Sequence, residues 1–219
     1  MSLLDVIGPI IIGPSSSHTA GAVKIGKFAH NYIGGTPDSV RFILHGSFAD
    51  TYIGHGTDRA LLGGIMGFEV DDHRIRNSYK IAQDTNMKYE FNFEDLGNVH
   101  PNTVKIIATK NDHDFEVIAA SIGASEIVVN ELDGTEVYLR GKVPTLAIVN
   151  KDIPGTLTRI MSTISKYNIN VANVTLKRIS KIIKEAVCIL ELDEEPTLLL
   201  LKELESFENI ISCKYIPKI

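Results

Sequence analysis

Cysteine is nearly absent: Cys188 and Cys213 are the only two in 219 residues. They lie far apart, each in an apolar, strand-like stretch, and read as small core residues. Two such thiols make neither a disulfide framework nor the three or four ligands of a metal cluster, so no metal site is expected in this chain. Basic charge is also scarce, with 22 Lys and Arg against 27 Asp and Glu and a net charge of -5. The cations are scattered rather than gathered into a stripe that could neutralise phosphates, which argues against a nucleic-acid partner. No apolar run approaches the roughly 18 to 20 residues needed to cross a bilayer, so no membrane is expected either. The N-terminal stretch MSLLDVIGPIIIGPSSS carries Asp5 in place of a positive n-region and is interrupted by Gly8 and Pro9. It reads as a buried strand of a cytoplasmic protein rather than as a signal segment. A Walker ending and a strand-associated G-x-G-x-x-G are both missing, which disfavours a nucleotide-binding loop and a dinucleotide domain.

What is present suits two compact units: 44% hydrophobic and 22% charged residues give enough apolar surface for two small cores. A turn-rich stretch near Gly141 to Pro144 gives way to a new apolar run, placing domains at 1–142 and 143–219. Beyond it the pattern reads strand (145–149), helix (155–167), strands (170–177 and 185–192), helix (197–207), strand (210–215). This is the ferredoxin-like βαββαβ arrangement. Leu157, Ile160, Met161 and Ile164 recur at helical spacing, and Pro154 and Pro196 sit where helices start. The N-terminal unit is mixed α/β. Helices are expected over 17–32, 49–67 and 73–85, with a strand at 40–45 between the first two. Strands follow over 88–93, 104–110, 115–122, 127–132 and 136–139, with Asn111-Asp112 and Asp133-Gly134 as hairpin turns. The fold class is therefore α+β, with helices laid on a largely antiparallel sheet.

Three motifs carry polar chemistry. In GPSSSHTAG, Ser15, Ser16, Ser17, His18 and Thr19 precede a helix whose first turn holds Ala20 and Gly21. Hydroxyls and free N–H groups there suit a small carboxylate or phosphate. A single Ser would suffice as a helix cap, and the run of three exceeds that need. The second cluster joins His45-Gly46-Ser47 and Thr51 to Gly54-His55-Gly56-Thr57-Asp58. Glycines flanking a histidine expose its ring, and Thr57 or Asp58 can cap the following helix; the cluster is either a polar site or a tight inter-helix turn. The third is His100-Pro101-Asn102-Thr103, where Asn102 and Thr103 can meet a carboxylate or an amine, or serve as ordinary turn chemistry.

Taken together and in this order, GPSSSHTAG, GHGTD and HPNT resemble the β subunits of iron-sulfur-dependent L-serine dehydratases, and the match spans the chain. The N-terminal unit is similar to allosteric-substrate-binding domains found in some phosphoglycerate dehydrogenases. The C-terminal unit, with Asn150-Lys151-Asp152-Ile153-Pro154-Gly155 entering its first helix, resembles an ACT domain. The resemblance implies removal of water and then ammonia from L-serine to give pyruvate, with a 4Fe-4S cluster acting on the serine hydroxyl. Since two cysteines cannot hold that cluster, it implies a separate α subunit that does. It also implies that Ser15, Ser16, Ser17, Thr19, Thr57, Asp58, Asn102 and Thr103 contact substrate, and that His18 or His55 takes the α-proton. For the ACT-like unit it implies effector binding at Asn150, Asp152, Gly155 and Thr156, or a homodimer contact without ligand. A non-catalytic amino-acid-binding regulator of another enzyme would share these features. The regulatory tail of a phosphoglycerate dehydrogenase is the third reading, disfavoured by the missing dinucleotide fingerprint.

Overall fold

A computed structural model of the chain describes residues 15–180 and 182–219. The strand expected in the N-terminal apolar stretch, together with Gly13 and Pro14, lies outside them. The chain divides into two compact units, Met1–Arg140 and Gly141–Ile219.

The first unit begins with a π-helical turn, Ser16–Ala20, that runs directly into α1 (Gly21–Ile33). It continues through β1 (Ser39–Leu44), α2 (Gly46–Thr51), α3 (Thr57–Ile65), a 3-10 turn (His73–Asn77) and α4 (Ser78–Asp84). Then come β2 (Lys88–Phe93), β3 (Thr103–Lys110), β4 (His113–Gly123), β5 (Glu126–Leu132) and β6 (Thr135–Leu139). The strands form one sheet in the order β2-β1-β3-β4-β5-β6. Its pairs are antiparallel except β1–β2, which is parallel, and a parallel pair needs a crossover, here α2, α3 and α4.

Turn chemistry sets the hairpins. Asn111 and Asp112 both have positive φ between paired Lys110 and His113, and Asp133-Gly134 does the same between Leu132 and Thr135. A third two-residue turn, Ala124-Ser125, has the same backbone without the usual residues. The helix expected over 49–67 is broken instead. After α2 the chain turns through Gly54 and Gly56, the latter left-handed at φ +69°, before α3 starts. Glycine at the break removes the Cβ penalty of that conformation, and Gly56, with no side chain to offer, is the N-cap in place of Thr57 or Asp58. The expected start of the first helix at Ser17 is likewise modified, since its opening turn is π. Helices α1 and α3 meet backbone to backbone at Gly26 and Gly64; a Cβ on Gly26 would lie 2.7 Å from the Leu61 carbonyl oxygen. This glycine contact binds α3, and the loop before it, to α1.

The second unit runs β7 (Thr145–Lys151), α5 (Thr156–Lys166), β8 (Val171–Ser180), β9 (Glu185–Leu192), α6 (Leu198–Glu205) and β10 (Ile210–Ile216). Its sheet has the order β10-β7-β9-β8 with antiparallel pairs throughout. Leu146, Ile148, Cys188, Leu190 and Leu192 of the sheet pack with Ile160 and Ile164 of α5 and Leu200 and Leu204 of α6. Full burial of each such aliphatic side chain is worth about 1.5–3 kcal/mol. Pro154 and Pro196 each sit one residue before the caps of their helices, Gly155 and Thr197, rather than at the first helical position.

Candidate functional site

The Ser-His loop is shaped by its own hydroxyls. Ser15 caps the π turn, its Oγ accepting from the His18 backbone N–H at 3.2 Å. The turn closes when Gly21 N–H reaches the Ser16 carbonyl, which Ser125 Oγ, one strand-turn away in the sheet, also approaches at 3.4 Å. A π turn swings the side chains it carries out of α-helical register, and such turns are frequent at functional sites. Gly21 has room only for hydrogen at Cα, because a Cβ there would collide with the hydroxyl of fully buried Ser121.

Around His18 three segments converge. Its Nδ1 lies 3.4 Å from both Ser15 Oγ and Ser17 Oγ, and its Nε2 lies 2.9 Å from Ser47 Oγ at the start of α2. Its ring meets the ring of His55 edge-on, with centroids 4.8 Å apart, and that of buried Phe48 at 5.6 Å. The loop carrying His55 is tied to the Ser-His turn twice: Thr19 Oγ1 donates to the His55 carbonyl at 2.9 Å, and Thr57 Oγ1 donates to the His18 carbonyl at 3.0 Å. Thr19 and Thr57 are thus buried struts between the two motifs. Burial, with a smaller contribution from the neighbouring His55, lowers the pKa of His18 below the ordinary histidine value and keeps its imidazole neutral at neutral pH. The Nδ1 of His55 is buried and has no hydrogen-bond partner among the described residues.

The HPNT segment backs this cluster. Gly46, at φ +52°, turns so that a Cβ would lie 2.8 Å from the Pro101 carbonyl oxygen, and the Phe48 N–H donates to that same oxygen at 3.4 Å. His45 N–H donates to the Thr103 carbonyl at 3.1 Å, and Leu96 N–H donates to His45 Nδ1 at 3.1 Å. Thr103 Oγ1 is spent on the His100 carbonyl at 2.6 Å. Asn102 faces β4: its Nδ2 approaches the Ser121 carbonyl at 3.4 Å, while its Oδ1, like Ser121 Oγ, is buried without a partner among the described residues.

Asp58 takes another direction. Its carboxylate, in the first turn of α3, accepts from Tyr79 OH at 2.7 Å, and its second oxygen is buried without a partner among the described residues. Burial and then Asp58 raise the Tyr79 pKa, so that phenol stays protonated. Of the sequence-nominated residues, the structure brings together Ser15, Ser17, His18, Thr19, His55 and Thr57. Ser16 is exposed and contributes its carbonyl, and Asn102 and Thr103 stand behind α2. Sequence reasoning placed Ser47 in the second cluster through the His45-Gly46-Ser47 turn without assigning it a partner, and passed over Phe48, Ser121, Ser125 and Tyr79, which are chosen by packing between elements.

In the second unit, Gly155 is left-handed at φ +90° and forms the N-cap of α5 without a side-chain bond. Asn150 donates to the Lys151 carbonyl at 2.9 Å, and its Oδ1, like Thr156 Oγ1, is buried without a partner among the described residues. Asp152 is held in an ion pair with Arg178 of β8.

A cluster does not fit the residues present. Burial pushes the Cys188 thiol up to about 11, and burial with nearby Glu205 pushes Cys213 up to about 12, whereas a ligand must be a thiolate. Among the described residues no three His, Cys, Asp or Glu side chains gather as a metal site. No described helix is long and apolar enough to cross a membrane.

The family model described as "Serine dehydratase beta chain" matches residues 2–131, and that of the ACT domain matches residues 145–209. The chain is 40% identical over 210 residues to the probable L-serine dehydratase, beta chain, of Bacillus subtilis (strain 168), covering 96% of this chain and 95% of that protein. It is 38% identical over 219 residues to the L-serine dehydratase, beta chain, of Peptoniphilus asaccharolyticus, covering 98% and 97%. A weaker likeness, 25% over 193 residues, relates 86% of this chain to 36% of the D-3-phosphoglycerate dehydrogenase of Methanocaldococcus jannaschii.

Proposed function

The chain belongs to the serine dehydratase beta chain family, and on that premise we propose that it supplies one wall of an active site that turns L-serine into pyruvate and ammonia. A companion α chain supplies the other wall and holds a 4Fe-4S cluster. When bound there, that group polarises the serine hydroxyl so that it can leave. The observation that carries the reading is the convergence of Ser15, Ser17, Ser47 and His55 on the neutral ring of His18.

The work of this chain is binding and proton transfer. The hydroxyls of Ser15, Ser16 and Ser17 face the substrate carboxylate, a short anion suited to O–H and N–H donors. His18 has neighbours on both ring nitrogens and acts as the hub that orients the hydroxyls. His55 has Nδ1 uncommitted among the described residues, and an imidazole nitrogen without a hydrogen bond is the candidate on this chain to accept the α-proton of serine. Asp58, turned to Tyr79, and Asn102, turned to the Ser121 carbonyl, lie outside this cluster, each keeping one buried oxygen unpaired among the described residues.

The ACT unit senses an amino acid at the α5 N-terminus. Gly155 opens that end to a carboxylate, Asn150 and Thr156 keep unpaired polar atoms beside it, and Asp152 is restrained by Arg178. Strand β8 is a sheet edge with Val174, Leu176 and Ile179 exposed, which suits pairing with a second copy. Co-expression with the cysteine-bearing companion chain tests the assignment. A brown, air-sensitive complex containing iron is expected, and two chains that purify separately would refute it.

A further inference from the structure

We infer that Ser47 is a positioning residue of this site: its hydroxyl clamps His18 at Nε2 so that the histidine presents a fixed edge to His55. The inference rests on the proposed serine chemistry and adds a part to it. The contact spans 29 residues of sequence and is 2.9 Å long, whereas the two serine contacts at Nδ1 are both 3.4 Å. Ser47 therefore makes the shortest polar contact to the ring among the described residues. Two hydroxyls on one side and one on the other leave the imidazole no freedom to flip without losing partners, and a fixed tautomer decides which nitrogen donates.

The surroundings of Ser47 leave it little freedom of its own. Left-handed Gly46 delivers it at the end of β1, and the Pro101 carbonyl blocks any Cβ at Gly46 while holding the Phe48 N–H. Thr51 Oγ1 donates to the Ser47 carbonyl at 2.7 Å, and buried Phe48 packs edge-on against His18. The HPNT segment thus acts on the histidines through Gly46, Ser47 and Phe48. It is the backstop against which the clamp closes.

The test uses Ser47→Ala and Ser47→Thr, with two readouts. On this chain alone, the imidazole 15N resonances of His18 report its tautomer. A single tautomer is expected in the parent and in Ser47→Thr, with a displaced Nε2 resonance in Ser47→Ala. In the complex with the companion chain, Ser47→Ala should lose about ten- to a hundred-fold in kcat with KM for L-serine little changed, the cost of a misplaced catalytic group. Ser47→Thr, which restores the hydroxyl, should recover most of it. Gly46→Ala should reproduce the Ser47→Ala kinetics, because its Cβ must displace the turn. Unchanged His18 resonances in Ser47→Ala would overturn the clamp whatever the kinetics show, and so would a kcat loss that Ser47→Thr leaves unrepaired. Because the resonances are read without the companion, their outcome is separate from whether the complex acts on serine. Failure of the parent complex to form pyruvate would count against the function and leave the clamp standing.

Discussion

His18 and His55 stand edge to ring, their centroids 4.8 Å apart and their planes inclined by 68°, yet one has polar neighbours on both nitrogens and the other keeps a buried Nδ1 free. Under the function proposed above, the free one takes the proton and the bonded one holds the site in shape.

Substitution separates these tasks. His55→Ala in the reconstituted enzyme should lower kcat on the order of a hundred-fold or more, the usual cost of removing a general base. His18→Ala should lower activity as well, with KM for L-serine raised, because the serine hydroxyls lose the ring that orients them. Serine turnover unchanged in both variants would show that neither ring takes part.

The neutral state of His18 predicts how stability responds to acid. Its folded pKa lies below the unfolded value, so the unfolded chain binds more protons in the window between the two. Stability is full above about pH 6.5 and falls as pH drops through that window toward the folded pKa. His30, whose pKa is lowered chiefly by burial, adds to the same trend. Thermal melting between pH 7.5 and about 5 checks this; His18→Gln should flatten the slope, and an unchanged slope would contradict it.

The glycine contact between α1 and α3 carries the loop that presents His55. Gly64→Ala places a methyl group against the Val23 carbonyl and should cost about 1–3 kcal/mol or more in chemical denaturation. Gly97→Ala, at an exposed position with nothing near its Cβ, should cost only the price of its left-handed backbone, about 1–2 kcal/mol. Equal and negligible losses would mean the helices do not meet as described.

Much of this architecture was legible in the sequence. Asn111-Asp112 and Asp133-Gly134 named their hairpins because few other residue pairs accept two successive positive φ angles. Leu157, Ile160 and Ile164 named α5 by their spacing. The turn at Ala124-Ser125 was not legible, because the strands on either side impose it on residues with no preference for it. The break between α2 and α3 was marked by Gly54 and Gly56 but masked by the apolar spacing around them. Within the site, the Ser-His and Gly-His motifs stood out, and Thr19 and Thr57 with them, but not the role of those two threonines as struts. That Thr57 meets the His18 carbonyl, that Ser47 meets its ring, and that Asp58 turns to Tyr79 depend on helix placement, which local pattern does not encode.

Neither cysteine should matter to the cluster. Cys188→Ala and Cys213→Ser together should leave the iron content of the complex unchanged while lowering thermal stability, since Cys188 is fully buried among Leu146, Ile148 and Leu190. Iron lost in proportion to the substitutions would place a ligand on this chain.

The most direct measurement is pyruvate formation from L-serine under anaerobic conditions by this chain alone, by the cysteine-bearing companion alone, and by the two mixed. Turnover in the mixture, and in neither chain separately, is the predicted result. Turnover by this chain alone would contradict the shared site.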